Sequence, residues 1–110
     1  LHDDLVMEFP FGADVGLPPR VEGKTICSGL FQAVVHKLGL RFAGIQVYGM
    51  ADPNLVLAEY RGHGAFNGKP YEQRYITLLR FTDGRLILYR EYVDSKIVEN
   101  VIGHLSALSG

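Results

Sequence analysis

One cysteine, no tryptophan and five prolines stand in a chain of 110 residues. Cys27 alone can form neither an internal disulfide nor a structural zinc site, which takes four ligands. Charge of one sign is also missing. The 11 Lys and Arg face 12 Asp and Glu, for a formal charge of −1, so the basic footprint of a nucleic-acid binder is absent. No uncharged stretch approaches the ~20 apolar residues that span a bilayer, and no basic start leads into an apolar run like that of a signal peptide. No Gly-rich turn passes from a strand into a helix to cradle a phosphate. His2, His36, His63 and His104 are scattered without ligand-like spacing, so no metal site is expected. What remains is a single cytoplasmic domain spanning 1–110, with neither nucleic acid nor membrane as partner.

What the chain does have is 47% hydrophobic residues, arranged with clear period. Leu5 to Phe11 reads as a strand that begins almost at once without an initiator Met, so residues are expected upstream. Pro10, Gly12, Gly16, Pro18, Pro19 and Gly23 then punctuate a loop of about a dozen residues. From Thr25, a plausible N-cap, Ile26, Leu30, Phe31, Val34, Val35 and Leu38 recur at helical spacing, and Gly39 supplies a stop. The segments Leu40–Met50, Asn54–Ala65, Tyr71–Thr82 and Arg85–Asp94 are rich in β-branched and aromatic residues. Turn chemistry at Asp52-Pro53, Asn67-Gly68 and Asp83-Gly84 separates them, which predicts an antiparallel meander. Asp94 or Ser95 caps a closing helix with an apolar stripe of Ile97, Val98, Val101, Ile102, Leu105 and Leu108. Strand, helix, four strands, helix is an α+β order, with helices covering one face of the sheet.

The Asp83-Gly84 turn decides where Glu91 points. A two-residue loop pairs Ile76 with Glu91. A three-residue loop with a glycine bulge puts Glu91 on the face of Tyr75, Thr77, Leu79, Phe81, Ile87, Tyr89 and Val93. The opposite face then collects Arg74, Ile76, Leu78, Arg80, Leu86, Leu88, Arg90 and Tyr92. This second sorting segregates the arginines better and is the expectation. It leaves one carboxylate on an aromatic and aliphatic surface, where its charged form is disfavoured and its pKa rises, as suits a proton donor near neutral pH.

Several motifs resemble one family. Glu59-Tyr60-Arg61-Gly62, Gly68-Lys69-Pro70-Tyr71, Arg80-Phe81-Thr82-Asp83-Gly84-Arg85-Leu86 and Tyr89-Arg90-Glu91-Tyr92-Val93-Asp94 are similar to the SnoaL-like group. That group holds polyketide cyclases and ketosteroid-isomerase-like proteins of the nuclear transport factor two-like superfamily. Leu5-Val6-Met7-Glu8-Phe9-Pro10 is similar to its first strand. The resemblance implies a cone, in which a curved antiparallel or mixed sheet wraps round a helix and leaves an apolar pocket. It also implies a homodimer through the outer sheet face. Such proteins begin with one or two further helices that close the pocket; the sequence does not contain them, so a pocket open on one side is expected. Where ketosteroid isomerases place an aspartate base, this chain has Phe9 beside Glu8. Their protonated aspartate falls at about Thr77. Phenazine-biosynthesis members keep an acid/base glutamate that falls on Glu91.

Glu91 is therefore the candidate acid or base, against the alternative of a structural carboxylate paired with an arginine such as Arg74. Glu8 is a second catalytic candidate, against a solvent-facing strand residue. Phe9, Phe31, Val35, Phe42, Tyr48, Tyr60, Tyr75, Thr77 and Tyr89 are the candidate ligand contacts, the tyrosines as hydrogen-bond donors or simply as core. His63 is expected in a solvated loop. The reaction class expected is isomerisation, cyclisation or dehydration of a small hydrophobic molecule without a cofactor. The competing expectation is a non-catalytic binding or dimerisation module of the same fold.

Overall fold

The computed structural model describes residues 1–12 and 16–103. Its elements are β1 (Val6–Glu8), β2 (Arg20–Glu22), α1 (Lys24–Leu38), β3 (Arg41–Gly49), β4 (Leu55–Phe66), β5 (Lys69–Thr82), β6 (Arg85–Val93) and α2 (Ser95–Val101). All six strands belong to one sheet, in the order β2-β1-β6-β5-β4-β3. β1 runs parallel to β6, and every other neighbouring pair is antiparallel. The α+β cone expected from the sequence is thus present, with a mixed sheet. Its first strand is shorter than Leu5–Phe11, and β2 lies inside the stretch expected to be loop.

Two turns set the meander. Asn67 and Gly68 have φ of 51° and 77°, and Asp83 and Gly84 have φ of 51° and 74°. Positive φ at both central residues gives the two-residue turn whose twist matches paired strands, and Asn, Asp and Gly adopt it at least cost. Accordingly Phe66 pairs with Lys69 and Thr82 with Arg85.

Helix α1 has Gly23 rather than Thr25 at its N-cap, and no side chain caps it. Gly39 ends it in the left-handed conformation, with φ 58° and ψ 40°, as the sequence suggested. Its buried stripe also begins one residue later than expected. Ile26 is 65% exposed, while Cys27 is fully buried. The Cys27 thiol lies 3.4 Å from the Val21 carbonyl and 3.6 Å from that of Leu5, and burial pushes its pKa up. It acts as a small core residue.

The core has two parts. Leu5, Met7, Phe9 and Cys27 pack together with Leu30, Leu86 and Tyr89 beside them. Leu38, Tyr71, Val98 and Ile102 form the other, with Val34, Leu40 and Val93 around it. Two glycines of β4 permit close packing, Gly64 against the end of α1 and Gly62 against a ring of β5. A Cβ at Gly64 would collide with the Leu38 carbonyl, and one at Gly62 would lie 2.6 Å from the Tyr75 ring. Between them, His63 belongs to the strand rather than a loop, and its Nδ1 faces Glu72 Oε2 at 3.4 Å.

Helix α2 is pinned by one buried amide. Gln73 Nε2 donates to the Asp94 carbonyl at 3.0 Å, and its Oε1 accepts from the Asp94 amide at 3.1 Å. Asp94 in turn caps the helix by accepting from the Lys96 amide at 3.0 Å. Leu105, Leu108 and His104 lie outside the described residues. No helix among the described residues is long and apolar enough to cross a membrane.

Candidate active site

Opposed residues of paired strands share a face, so register fixes what meets α1. Thr77 pairs with Glu91 and Leu79 with Tyr89, while Ala58 pairs with Thr77 and Tyr60 with Tyr75. Glu91 therefore shares the inner face with Tyr75, Thr77 and Tyr89, as expected, but by a different device. The Asp83-Gly84 turn has two residues, which alone would place Glu91 opposite Ile76. The ladder then slips: Arg80 pairs with Leu88 and Phe81 with Leu86, leaving Ile87 as one extra residue in β6. That bulge restores the parity. It also brings Leu86 inward against the first core cluster, not outward as the longer loop implied.

The inner face carries a connected chain of hydroxyls. Tyr89 Oη donates to Glu91 Oε1 at 2.7 Å. Tyr60 Oη lies 3.2 Å from Tyr89 Oη and 2.7 Å from Thr77 Oγ1. The rings stack around it. Tyr60 and Tyr75 lie parallel at 5.1 Å, and Phe42 meets both edge-on at 5.5 Å and 5.8 Å. Phe31 meets Phe42 and Tyr89 at 6.3 Å.

Glu91 forms none of the ion pairs found among the described residues; the expected alternative partner, Arg74, is on the other face. The apolar surroundings push the Glu91 pKa up to about 7 by desolvation, opposed by the hydrogen bond from Tyr89. Burial, then the nearby Glu91 charge, holds Tyr89 well above the usual tyrosine range. Burial likewise raises Tyr60 and Tyr75. At neutral pH the tyrosines keep their protons as donors, and both protonation states of Glu91 are within reach.

Glu91 opens onto a cavity of about 60 Å³ between the two core clusters, with Phe9, Phe31, Val35, Phe42, Tyr75 and Tyr89 in its wall. Beyond Met7, Phe31 and Tyr89, a groove of about 310 Å³ runs along Leu5, Cys27, Ser28, Gln32 and Leu86. The inner cavity is smaller than the ~300 Å³ at which small-molecule sites begin, and the groove reaches that size.

Of the expected contacts, six line the cavity. Tyr60 and Thr77 do not; they stand behind Tyr89 and Tyr75. Tyr48 is misplaced by the sequence reading. It pairs with Leu57 and hence with Leu78 on the outer face, where it is 44% exposed and donates to Gln46. The Ala43–Gln46 bulge sets that parity. Glu8 is also outside. It accepts from the Arg90 guanidinium at 2.9 Å and lies 3.7 Å from Arg20, and this pairing raises the Arg90 pKa further. Glu8 is structural. The sequence reading missed Tyr71, Leu17 and Val98 in the cavity wall. Tyr71 has the period-two parity of Tyr75, which could have found it; Leu17 sits in irregular backbone and has no such signal. Among the described residues no group of three His, Cys, Asp or Glu could hold a metal ion.

The sequence model of the SnoaL-like domain matches residues 1–89. The chain belongs to this family. An uncharacterized PhzA/B-like protein of Pseudomonas aeruginosa is 35% identical over 111 residues, covering 99% of this SnoaL-like chain and 74% of the relative. A crystal structure from Bacillus subtilis, assigned provisionally as an isomerase, is 34% identical with a TM-score of 0.82 over 93% of this chain and 75% of that one. A phenazine biosynthesis-related protein of Pseudomonas aeruginosa has the same fold, with a TM-score of 0.78 at 21% identity over 94% of this chain and 71% of that one.

Proposed function

We propose that this SnoaL-like chain is a cofactor-independent acid/base catalyst that isomerises, cyclises or dehydrates a small hydrophobic carbonyl compound, with Glu91 transferring the proton. The observation that carries the reading is the Glu91 carboxyl: free of any arginine, set in an aromatic cavity, and balanced between its two protonation states near pH 7. A group so balanced can take a proton from carbon and return it within one cycle. The carbonyl end of the ligand enters the inner cavity beside Glu91 and Tyr89. Its apolar body occupies the adjoining groove, since the cavity alone is too small for it.

Glu91→Gln is the test, using flat carbonyl-bearing compounds as substrates. Turnover falls by two orders of magnitude or more, in line with loss of a general acid or base (~10²–10⁴-fold), while folding and ligand binding persist. Retained turnover overturns the assignment. In the wild type, a rate that climbs to a plateau through about pH 7 marks Glu91 as base, and a rate that falls there marks it as acid.

One observation favours a second reading, a binding module without catalysis. Phe9 and Thr77 stand where the ketosteroid isomerases have carboxylates, so Glu91 has no second acid beside it. In that case Glu91→Gln weakens binding and no substrate turns over. For the assembly, we propose a homodimer through the outer sheet face, where Ile76 and Tyr48 remain exposed among arginines.

A further inference from the structure

Thr77 and Tyr60 neither line the cavity nor carry charge, yet they join a continuous line of hydroxyls that ends on Glu91. A carboxylate can only accept hydrogen bonds. When Glu91 is ionised, the Tyr89 proton is therefore committed to it, at 2.7 Å. The Tyr89 oxygen is then free to accept, and the hydroxyl within reach is that of Tyr60, at 3.2 Å. Having given its proton to Tyr89, Tyr60 must accept, and Thr77 Oγ1 lies 2.7 Å away to donate. The chain has one consistent direction, Thr77 to Tyr60 to Tyr89 to Glu91, and each link polarises the next.

We propose that Thr77 and Tyr60 are positioning residues, holding Tyr89 as donor to the Glu91 carboxylate through a hydroxyl chain that can turn round when Glu91 takes up a proton. On protonation Glu91 gains an O–H. Tyr89 then has its own proton to offer to a ligand oxygen or back to Tyr60, and Tyr60 can donate to Thr77. No bond to carbon and no net charge moves along the chain; only the donor and acceptor roles exchange. A threonine can end such a chain because its hydroxyl both donates and accepts, and at 1% exposure it has no competing water at its surface.

Against the burial that raises the Glu91 pKa, the groups that can oppose it are few. Facing it are Tyr89 from β6, Thr77, Tyr75 and Tyr71 from β5 and Tyr60 from β4, with only apolar side chains of β1, α1 and α2 around the cavity. Apart from Glu91 itself, no acidic or basic residue lines that space among the described residues.

The proposal deepens the reading of Glu91 as the proton-transfer group, but its test needs no substrate. The Glu91 side-chain carboxyl is titrated by carbon NMR in the full chain and in Tyr89→Phe, Tyr60→Phe, Thr77→Val and Thr77→Ser. Losing a donor to the charged form raises the midpoint. Tyr89→Phe raises it most, by about one pH unit, the size of a charge-assisted hydrogen bond. Tyr60→Phe and Thr77→Val raise it by smaller, graded amounts, and Thr77→Ser restores the wild-type value. A merely structural role would lower thermal stability without moving the midpoint. If Thr77→Val and Tyr60→Phe leave the midpoint unchanged while Tyr89→Phe moves it, the chain ends at Tyr89 and the proposal is overturned. Should Tyr60→Phe fail to fold, the Val and Ser variants at Thr77 decide alone. Graded shifts without turnover on any substrate would uphold the chain and sink the catalytic reading.

Discussion

Ionised Glu91 should weaken the fold, and pH exposes this. Its folded pKa of about 7 lies above the ordinary glutamate value of 4.5, so between those values the native state binds more protons than the unfolded one. Stability must then fall as pH rises through that window and level off above it. At about 1.4 kcal/mol per pH unit, the ceiling on the loss is on the order of 3 kcal/mol. Urea unfolding at pH 5 and pH 8 should show the wild type weakening and Glu91→Gln holding steady. A wild type that gains stability over this range would contradict the buried carboxyl. The same residue marks how far sequence could reach. The inward side of Glu91 was legible because arginines segregate to one face. The arginine partner of Glu8 was not legible because Arg90 is 82 residues distant, and nothing local announces a parallel pairing.

At the scale of elements, close backbone approach matters more than propensity. Strands β3 to β6 were legible because Asn-Gly and Asp-Gly turns punctuate them. The three residues of β2 were not, since their pairing with β1 is imposed from outside a Pro- and Gly-rich stretch. Nor was the bulge at Ile87, because register is a property of two strands and a turn reports only one end. Gly64 was visible only as a glycine; its reason is the Leu38 carbonyl against it. Gly64→Ala therefore forces α1 off the sheet and should lower stability by about 1–3 kcal/mol, as overpacking does. Gly49, at the far end of β3 opposite Val56 and with nothing within 4 Å of its added Cβ, serves as the control in the same denaturation series.

For the whole molecule, the outer sheet face is the feature that folding leaves unfinished. Ile76 is 44% exposed there and directly opposite Glu59, away from the cavity. If the proposed homodimer uses this face, Ile76→Asp should shift sedimentation from dimer to monomer without altering the far-ultraviolet circular dichroism. A wild-type monomer would refute it outright. The cone itself was legible through the motifs around Glu91, whereas the division of its interior into a small cavity and a larger groove was not, because it depends on where α1 lies between the two core clusters.

The parallel seam between β1 and β6 also has a temporal meaning. The meander from β3 to β6 is built from neighbours in sequence and can assemble early, but β1 must wait for the last strand. Closing so long a loop is entropically slow. On a ribosome, Leu5, Met7 and Phe9 would stay without Leu86 and Tyr89 until β6 has emerged. Refolding kinetics should therefore show Met7→Ala accelerating unfolding while leaving the folding rate nearly unchanged, with Leu78→Ala in the meander slowing folding instead. The half of the interior that borders the groove would be the last to close and the first to open.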